Sequence, residues 1–171
     1  MTHKEAIQKY YDFRDTYIGK YIDIDGQYGA QCWDLAQKYF TEYLGVPASV
    51  LGGCDLVSNM LYPPKIEQLL EYFVEVPLDA MDPGDVVIWE YGHIAVFDNW
   101  DGSTSWFFSQ NPNPCDLIVI NRGGEHAFRL KTQDPEVDYK KLYFNALTTI
   151  EELENKINKA IEDLQWELEN V

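Results

Sequence analysis

Three cysteines and three histidines are the residues of this chain best suited to covalent chemistry. Cys32 opens a helical stretch directly after a polar, glycine-containing loop. The first turn of a helix presents unpaired N–H groups and the positive end of its dipole, and both favour thiolate over thiol. Cys32 is therefore a candidate nucleophile, set against the commoner role of a free cysteine as an inert core residue. Cys54 and Cys115 have no helix-start setting, and the inert role fits them better. An odd number of cysteines with no Cys-x-x-Cys pair argues against a disulfide framework and against a structural zinc site. It fits a chain that folds in a reducing compartment.

A thiolate nucleophile needs a base within reach. His93 follows Gly92 and opens an apolar β segment, a setting that suits a side chain facing a groove. His3 lies among the first residues, and His126 follows Gly123-Gly124 in a late strand. A third group is needed to hold the imidazole through its other nitrogen. The segment Trp106-Phe107-Phe108-Ser109-Gln110-Asn111 ends in polar residues where neighbouring strands would meet. Asn111 or Ser109 could hold His93.

The loop before Cys32 has a chemistry of its own. Counted from Asp23, oxygen donors fall at positions 1, 3, 5, 7 and 12: Asp23, Asp25, Gln27, the Gly29 carbonyl and Asp34. Calcium takes six to eight hard oxygens, and alternate positions of a tight loop can converge on one ion. The spacing is EF-hand-like, but Tyr28 replaces the usual glycine at position 6 and Asp34 the usual glutamate at position 12. The alternative is an acidic surface turn that binds nothing.

These groups need a scaffold. Thr2 and Glu5 form a capping-box pattern before apolar residues at helical spacing, and Gly19 ends that first helix. A second helix is expected over 32–44, stopped by Gly45 and Pro47, and a third over 66–73. Asp82-Pro83-Gly84-Asp85 is a turn signal, after which β-rich segments are expected at 86–89, 93–97, 106–109, 117–120 and 126–130. Helices first and antiparallel strands afterwards define an α+β fold. The last stretch carries Ile150, Leu153, Ile157, Ala160, Leu164 and Val171 in a near-heptad pattern. It reads as a terminal or linking helix, or as an oligomerisation segment.

The composition bounds the function. At 171 residues, with 46% hydrophobic and 15% aromatic side chains, the chain fits one domain with a real core and a modest tail. Thirteen basic against 29 acidic residues give a net charge of −16, which opposes nucleic-acid binding and favours a divalent cation. No apolar run reaches the ~20 residues of a membrane span, and the first residues lack a signal peptide's apolar core.

Taken in order, Asp23-x-Asp25-Gly26-x-Tyr28-Gly29-x-Gln31-Cys32-x-Asp34, Gly84-Asp85-Val86-Val87, Gly92-His93-Ile94-Ala95-Val96 and Ser109-Gln110-Asn111 resemble the CHAP domain. CHAP domains are cysteine, histidine-dependent amidohydrolase/peptidases that cut bacterial peptidoglycan. The resemblance covers roughly residues 15–130 and is nearest to the calcium-dependent CHAP domains of bacteriophage endolysins. It implies a papain-like NlpC/P60-type fold, with residues 1–146 as the catalytic domain and 147–171 as a helical linker or oligomerisation segment. It also implies Cys32 as nucleophile, His93 as base, and Gln31 with the Cys32 N–H as oxyanion donors. Many members carry a carboxylate where Ser109 stands and an asparagine matching Asn111, which implies Asn111 in the orienting role first and Ser109 second. The calcium ligands map onto Asp23, Asp25, Gln27, Gly29 and Asp34. The resemblance does not decide between N-acetylmuramoyl-L-alanine amidase and cross-bridge endopeptidase activity. The expected partner is peptidoglycan, with an attached wall-binding domain or self-association through the C-terminal helix, and no membrane or nucleic acid. The expected site of synthesis is the host bacterial cytoplasm, with action on the wall after release. A wall-remodelling NlpC/P60-type endopeptidase and a non-catalytic, calcium-stabilised module are the rival readings.

Overall fold

The computed structural model describes residues 1–53, 56–121 and 123–133, together with Leu153, Lys156, Ile157 and Lys159. The chain divides into two compact units, Met1–Gln133 and Asp134–Val171. All candidate residues sit in the first. In the second, the four described positions are helical and exposed. The rest of the expected helix over 147–171 and the expected boundary after 146 lie outside the described residues, as does Cys54. Among the described residues, no helix is long and apolar enough to cross a membrane.

Helix α1 (His3–Tyr17) starts as its capping pattern predicts. Thr2 Oγ1 accepts the Glu5 N–H at 3.2 Å, and Glu5 Oε2 accepts the Thr2 N–H at 2.7 Å. Helix α2 (Cys32–Lys38) runs on as a π-helical turn, Tyr39–Leu44, so the single helix expected over 32–44 is present with a widened second half. Gly45 ends it with φ +71°, the left-handed conformation that only glycine adopts without cost. Helix α3 (Lys65–Tyr72) gives way to an unexpected strand, β1 (Phe73–Val76), so Phe73 belongs to the sheet and not to the helix. The remaining strands are β2 (Val86–Trp89), β3 (His93–Trp100), β4 (Ser105–Ser109), β5 (Asp116–Val119) and β6 (Glu125–Leu130). They form one antiparallel sheet in the order β1-β6-β2-β3-β4-β5, and the class is α+β.

The period-2 alternation of strand side chains sorts this sheet into two faces. Val86, Ile88, Ile94, Val96, Phe108 and Phe128 belong to the main core, with Tyr10, Phe13, Leu35, Tyr39 and Phe40 from the helices. Val87, Trp89, Ala95, Phe97, Phe107 and Ala127 form a second, smaller cluster. Helix α2 thus rests on β3, the strand whose first residue is His93.

One buried charge ties α1 to the same strand. The β3–β4 register shifts between Phe97 and Asn99, and the intervening Asp98 is only 2% exposed. Its Oδ1 accepts the Tyr10 hydroxyl at 2.6 Å and Arg14 Nη1 at 2.8 Å. Burial, followed by the bond to Asp98, pushes the Tyr10 hydroxyl pKa far up, so the phenol stays a donor. Replacing Asp98 with Ala strands the buried Tyr10 hydroxyl and leaves Arg14 with Asp15 as its carboxylate partner. Urea unfolding of Asp98→Ala is expected to show a loss of about 3 kcal/mol, and a loss below ~1 kcal/mol would contradict this role.

Candidate active site

The start of α2 is held by a buried carboxylate. Asp34, 1% exposed, accepts the Ile24 N–H at 3.0 Å through Oδ1 and the Gln31 N–H at 2.8 Å through Oδ2. One side chain in the first helical turn therefore fixes both the loop and the residue before Cys32. The helix dipole favours a negative charge at that end.

Cys32 is the first residue of α2 and 6% exposed. The backbone N–H groups of Ile94, Trp33 and Cys32 itself lie near its sulfur. The Ile94 contact places the sulfur against β3 one residue beyond His93. Burial pushes the thiol pKa up, those N–H groups pull it down, and the Asp34 carboxylate adds to the rise. The helix start supplies the donors expected of it, yet desolvation outweighs them, and the expected net shift toward thiolate is not found.

His93 stands at the open end of β3, opposite Trp89 in the β2–β3 register. Its Nε2 lies 2.9 Å from Ser109 Oγ. The Tyr91 ring runs parallel to the imidazole, within 4° and with 6.2 Å between centroids, and Trp89 lies 5.7 Å away. Of the two expected orienting residues, Ser109 is the one placed beside Nε2. Asn111 Nδ2 instead donates to Gln31 Oε1 at 2.8 Å. The reason is local, because β4 ends at Ser109 and Asn111 has left the ladder with φ +86°. Gln31 Nε2 in turn donates to the Tyr28 carbonyl at 2.7 Å. The Gln31 side chain thus joins Asn111 to Tyr28, which also has a positive φ, +61°. Such conformations cost non-glycine residues energy and collect at functional sites.

Asp23, Asp25 and Asp34 each offer a carboxylate oxygen, all within 4.8 Å of one another. Two oxygens bound to the same calcium can lie no more than about 5 Å apart, so the three fit one ion. The loop shapes them: Asp23 Oδ1 accepts the Gly26 N–H and Asp25 Oδ1 the Gln27 N–H, both at 2.8 Å. Gln27 and Gly29 belong to the same loop, and Gln27 lines the adjoining groove.

That groove encloses about 830 Å³ and is lined by Cys32 and His93, with Gln31 and Asn111 beside them and Trp33 and Tyr91 among its aromatics. A smaller hollow of about 340 Å³ shares Tyr91, His93 and Asn111 with it and continues over Ile118 and Ile120. Trp89 is core, whereas Trp106 donates through Nε1 to Asp101 Oδ2 at 2.9 Å.

Sequence reasoning passed over Gln110. It is buried, and its amide bonds the main chain at Ile22 and Gln31. The only signal was its place between Ser109 and Asn111.

Over 110 residues the chain is 34% identical to the D-alanyl-L-alanine endopeptidase of Streptococcus phage B30. The match covers 60% of this chain and 24% of that protein, so the chain spans about a quarter of the length of this curated relative. No family model matches the chain, and no solved structure does.

Cys115 is fully buried and its thiol is pushed up to about 12 by burial. At about pH 8 roughly one molecule in ten thousand then carries that thiolate. Peptide mapping after iodoacetamide treatment of the folded chain should leave Cys115 unmodified, and modification of Cys115 ahead of Cys32 would contradict this assignment.

Proposed function

We propose that this chain is the catalytic part of a CHAP-type cysteine peptidoglycan hydrolase, with a papain-like NlpC/P60-type fold, acting as a phage endolysin. The observation that carries the reading is the single groove lined by both Cys32 and His93, with Ser109 Oγ 2.9 Å from the His93 ring. The likeness to a phage endopeptidase supports it independently.

The chemistry follows from these residues. His93 takes the Cys32 proton, and the sulfur attacks the carbonyl carbon of an amide in the wall peptide. With Nε2 engaged by Ser109, Nδ1 is the nitrogen that serves the thiol. The oxyanion is met by the Cys32 N–H and by the second amide hydrogen of Gln31, whose first is given to Tyr28. His93 returns its proton to the leaving amine, the C–N bond breaks, and a thioester remains. Water, deprotonated by His93, then attacks the thioester, releasing the acid and restoring the thiol.

The relative's name favours the endopeptidase branch, with a D-alanyl-L-alanine bond as the one cut, over the amidase branch. Asp23, Asp25 and Asp34, with oxygens of Gln27 and Gly29, would hold Ca²⁺. Bound there, the ion neutralises the clustered carboxylates and stiffens the loop that leads into α2. A wall-binding module, or self-association through residues 147–171, would hold a chain of charge −16 on an anionic wall. Synthesis in the host cytoplasm and release to the wall at lysis complete the proposal.

Turbidity of isolated Gram-positive walls tests it. The wild-type chain should clear them, and Cys32→Ala should fail to do so with an unchanged circular dichroism spectrum. Walls left intact by both would favour the non-catalytic reading. Mass spectrometry of the digest should find new D-alanine carboxyl ends and L-alanine amino ends, whereas stem peptides freed from muramic acid would assign an amidase. Chelation should lower activity and melting temperature together, and added calcium should restore both. Full activity in excess chelator would exclude the cation's role.

A further inference from the structure

The segment after β4 does more than orient the imidazole. Ser109, Gln110 and Asn111 are consecutive, and each holds a different part of the site. Ser109 meets His93, and Asn111 meets the Gln31 side chain. Gln110, 2% exposed, lies between them and grips main chain only at the two ends of the acidic loop. Its Oε1 accepts the Ile22 N–H at 3.0 Å, and its Nε2 donates to the Ile22 carbonyl at 2.7 Å. The same nitrogen donates to the Gln31 carbonyl at 2.6 Å. Residues 23–30, with Asp23 and Asp25 among them, lie between these two anchors.

The grip is itself anchored. The Cys115 thiol donates to Gln110 Oε1 at 3.2 Å, which orients the amide. The main chain of Cys115 takes the Gly19 N–H at 2.7 Å and gives its own N–H to Lys20 at 2.9 Å. The segment leading to Ile22 is thus bonded to Gln110 and Cys115 before the loop begins. Joining the ends of a loop removes most of its conformational freedom before any ligand arrives.

We infer that Gln110 is a positioning residue: its amide closes the acidic loop and locks it, with the residue preceding the nucleophile, to the strand end that orients His93. This rests on the proposed roles of Cys32 and His93. A Gln110 amide without those contacts would leave buried N–H and C=O groups at Ile22 unpaired. The loop would then open to water rather than keep them buried.

Two variants of the full chain separate its parts. Gln110→Glu keeps an acceptor for Ile22 and Cys115 but removes the donor to both carbonyls, and Gln110→Met removes every bond at similar length. At a temperature where circular dichroism shows each variant fully folded, hydrogen exchange should rise at least ~10-fold in peptides over 22–34 and stay unchanged over 3–17. This readout needs no substrate. In wall lysis, kcat should fall between ~10- and ~100-fold with the half-saturating wall concentration unchanged. Calcium affinity, read by titration calorimetry, should weaken in both variants. Exchange over 22–34 equal to wild type, or activity lost only in proportion to unfolded protein, would overturn the role of Gln110. Wild-type chain that leaves walls intact would instead overturn the proposed function, and the exchange result would still decide whether Gln110 closes the loop.

Discussion

A carboxylate cut off from water must be satisfied by whatever the chain brings to it, and Asp34 makes that demand at the first turn of α2. Its two oxygens take the N–H of Ile24 from the loop and of Gln31 from the helix cap. Leaving such a group unpaired costs far more than its hydrogen bonds return in water, so the loop and the helix start are bound to one geometry. The Cys32 sulfur is carried by that geometry. So is the cluster of three carboxylates, because Asp34 belongs to both arrangements. Structure and candidate metal chemistry share one side chain.

The second constraint comes from the sheet. Strand β3 delivers His93 at its open end and brings the Ile94 N–H near the sulfur from the next position. Period-2 alternation separates the two side chains: Ile94 belongs to the helix-facing core, and His93 lies beside Trp89 of the smaller cluster. Cys32 and His93 therefore approach from the two layers and line one groove. The polar run following β4 bridges the same gap, one residue for each component.

Much of this was legible in the sequence, and for local reasons. The Thr2–Glu5 cap, the Gly45 stop and the Cys32 helix start depend on chemistry within a few residues, which spacing reports well. His93 after Gly92 was legible because a polar residue at the head of an apolar strand is conspicuous. Strand β1 was not, since Phe73 extends the apolar face of the preceding helix and only three residues follow it in the strand. Which of Ser109 and Asn111 stands beside His93 turns on where the β4 ladder ends, and sequence spacing does not report that. Gln110 could not be read at all. Its bonds reach Ile22, 88 positions away, and Gln31, 79 positions away, and nothing in its neighbours announces them. The lowered thiol pKa expected at Cys32 failed for the same kind of reason, since burial is a tertiary property.

The central claim is that the Cys32 sulfur and the His93 ring work as one pair, and a short bifunctional alkylating reagent measures that directly. Dibromoacetone carries two reactive carbons on a three-carbon frame, so it bridges only groups that nearly touch. Treated folded protein, digested and mapped by mass spectrometry, should yield a single crosslinked species joining the Cys32 peptide to the His93 peptide. Single-ended adducts on Cys32, or a bridge to any other side chain, would contradict the pairing.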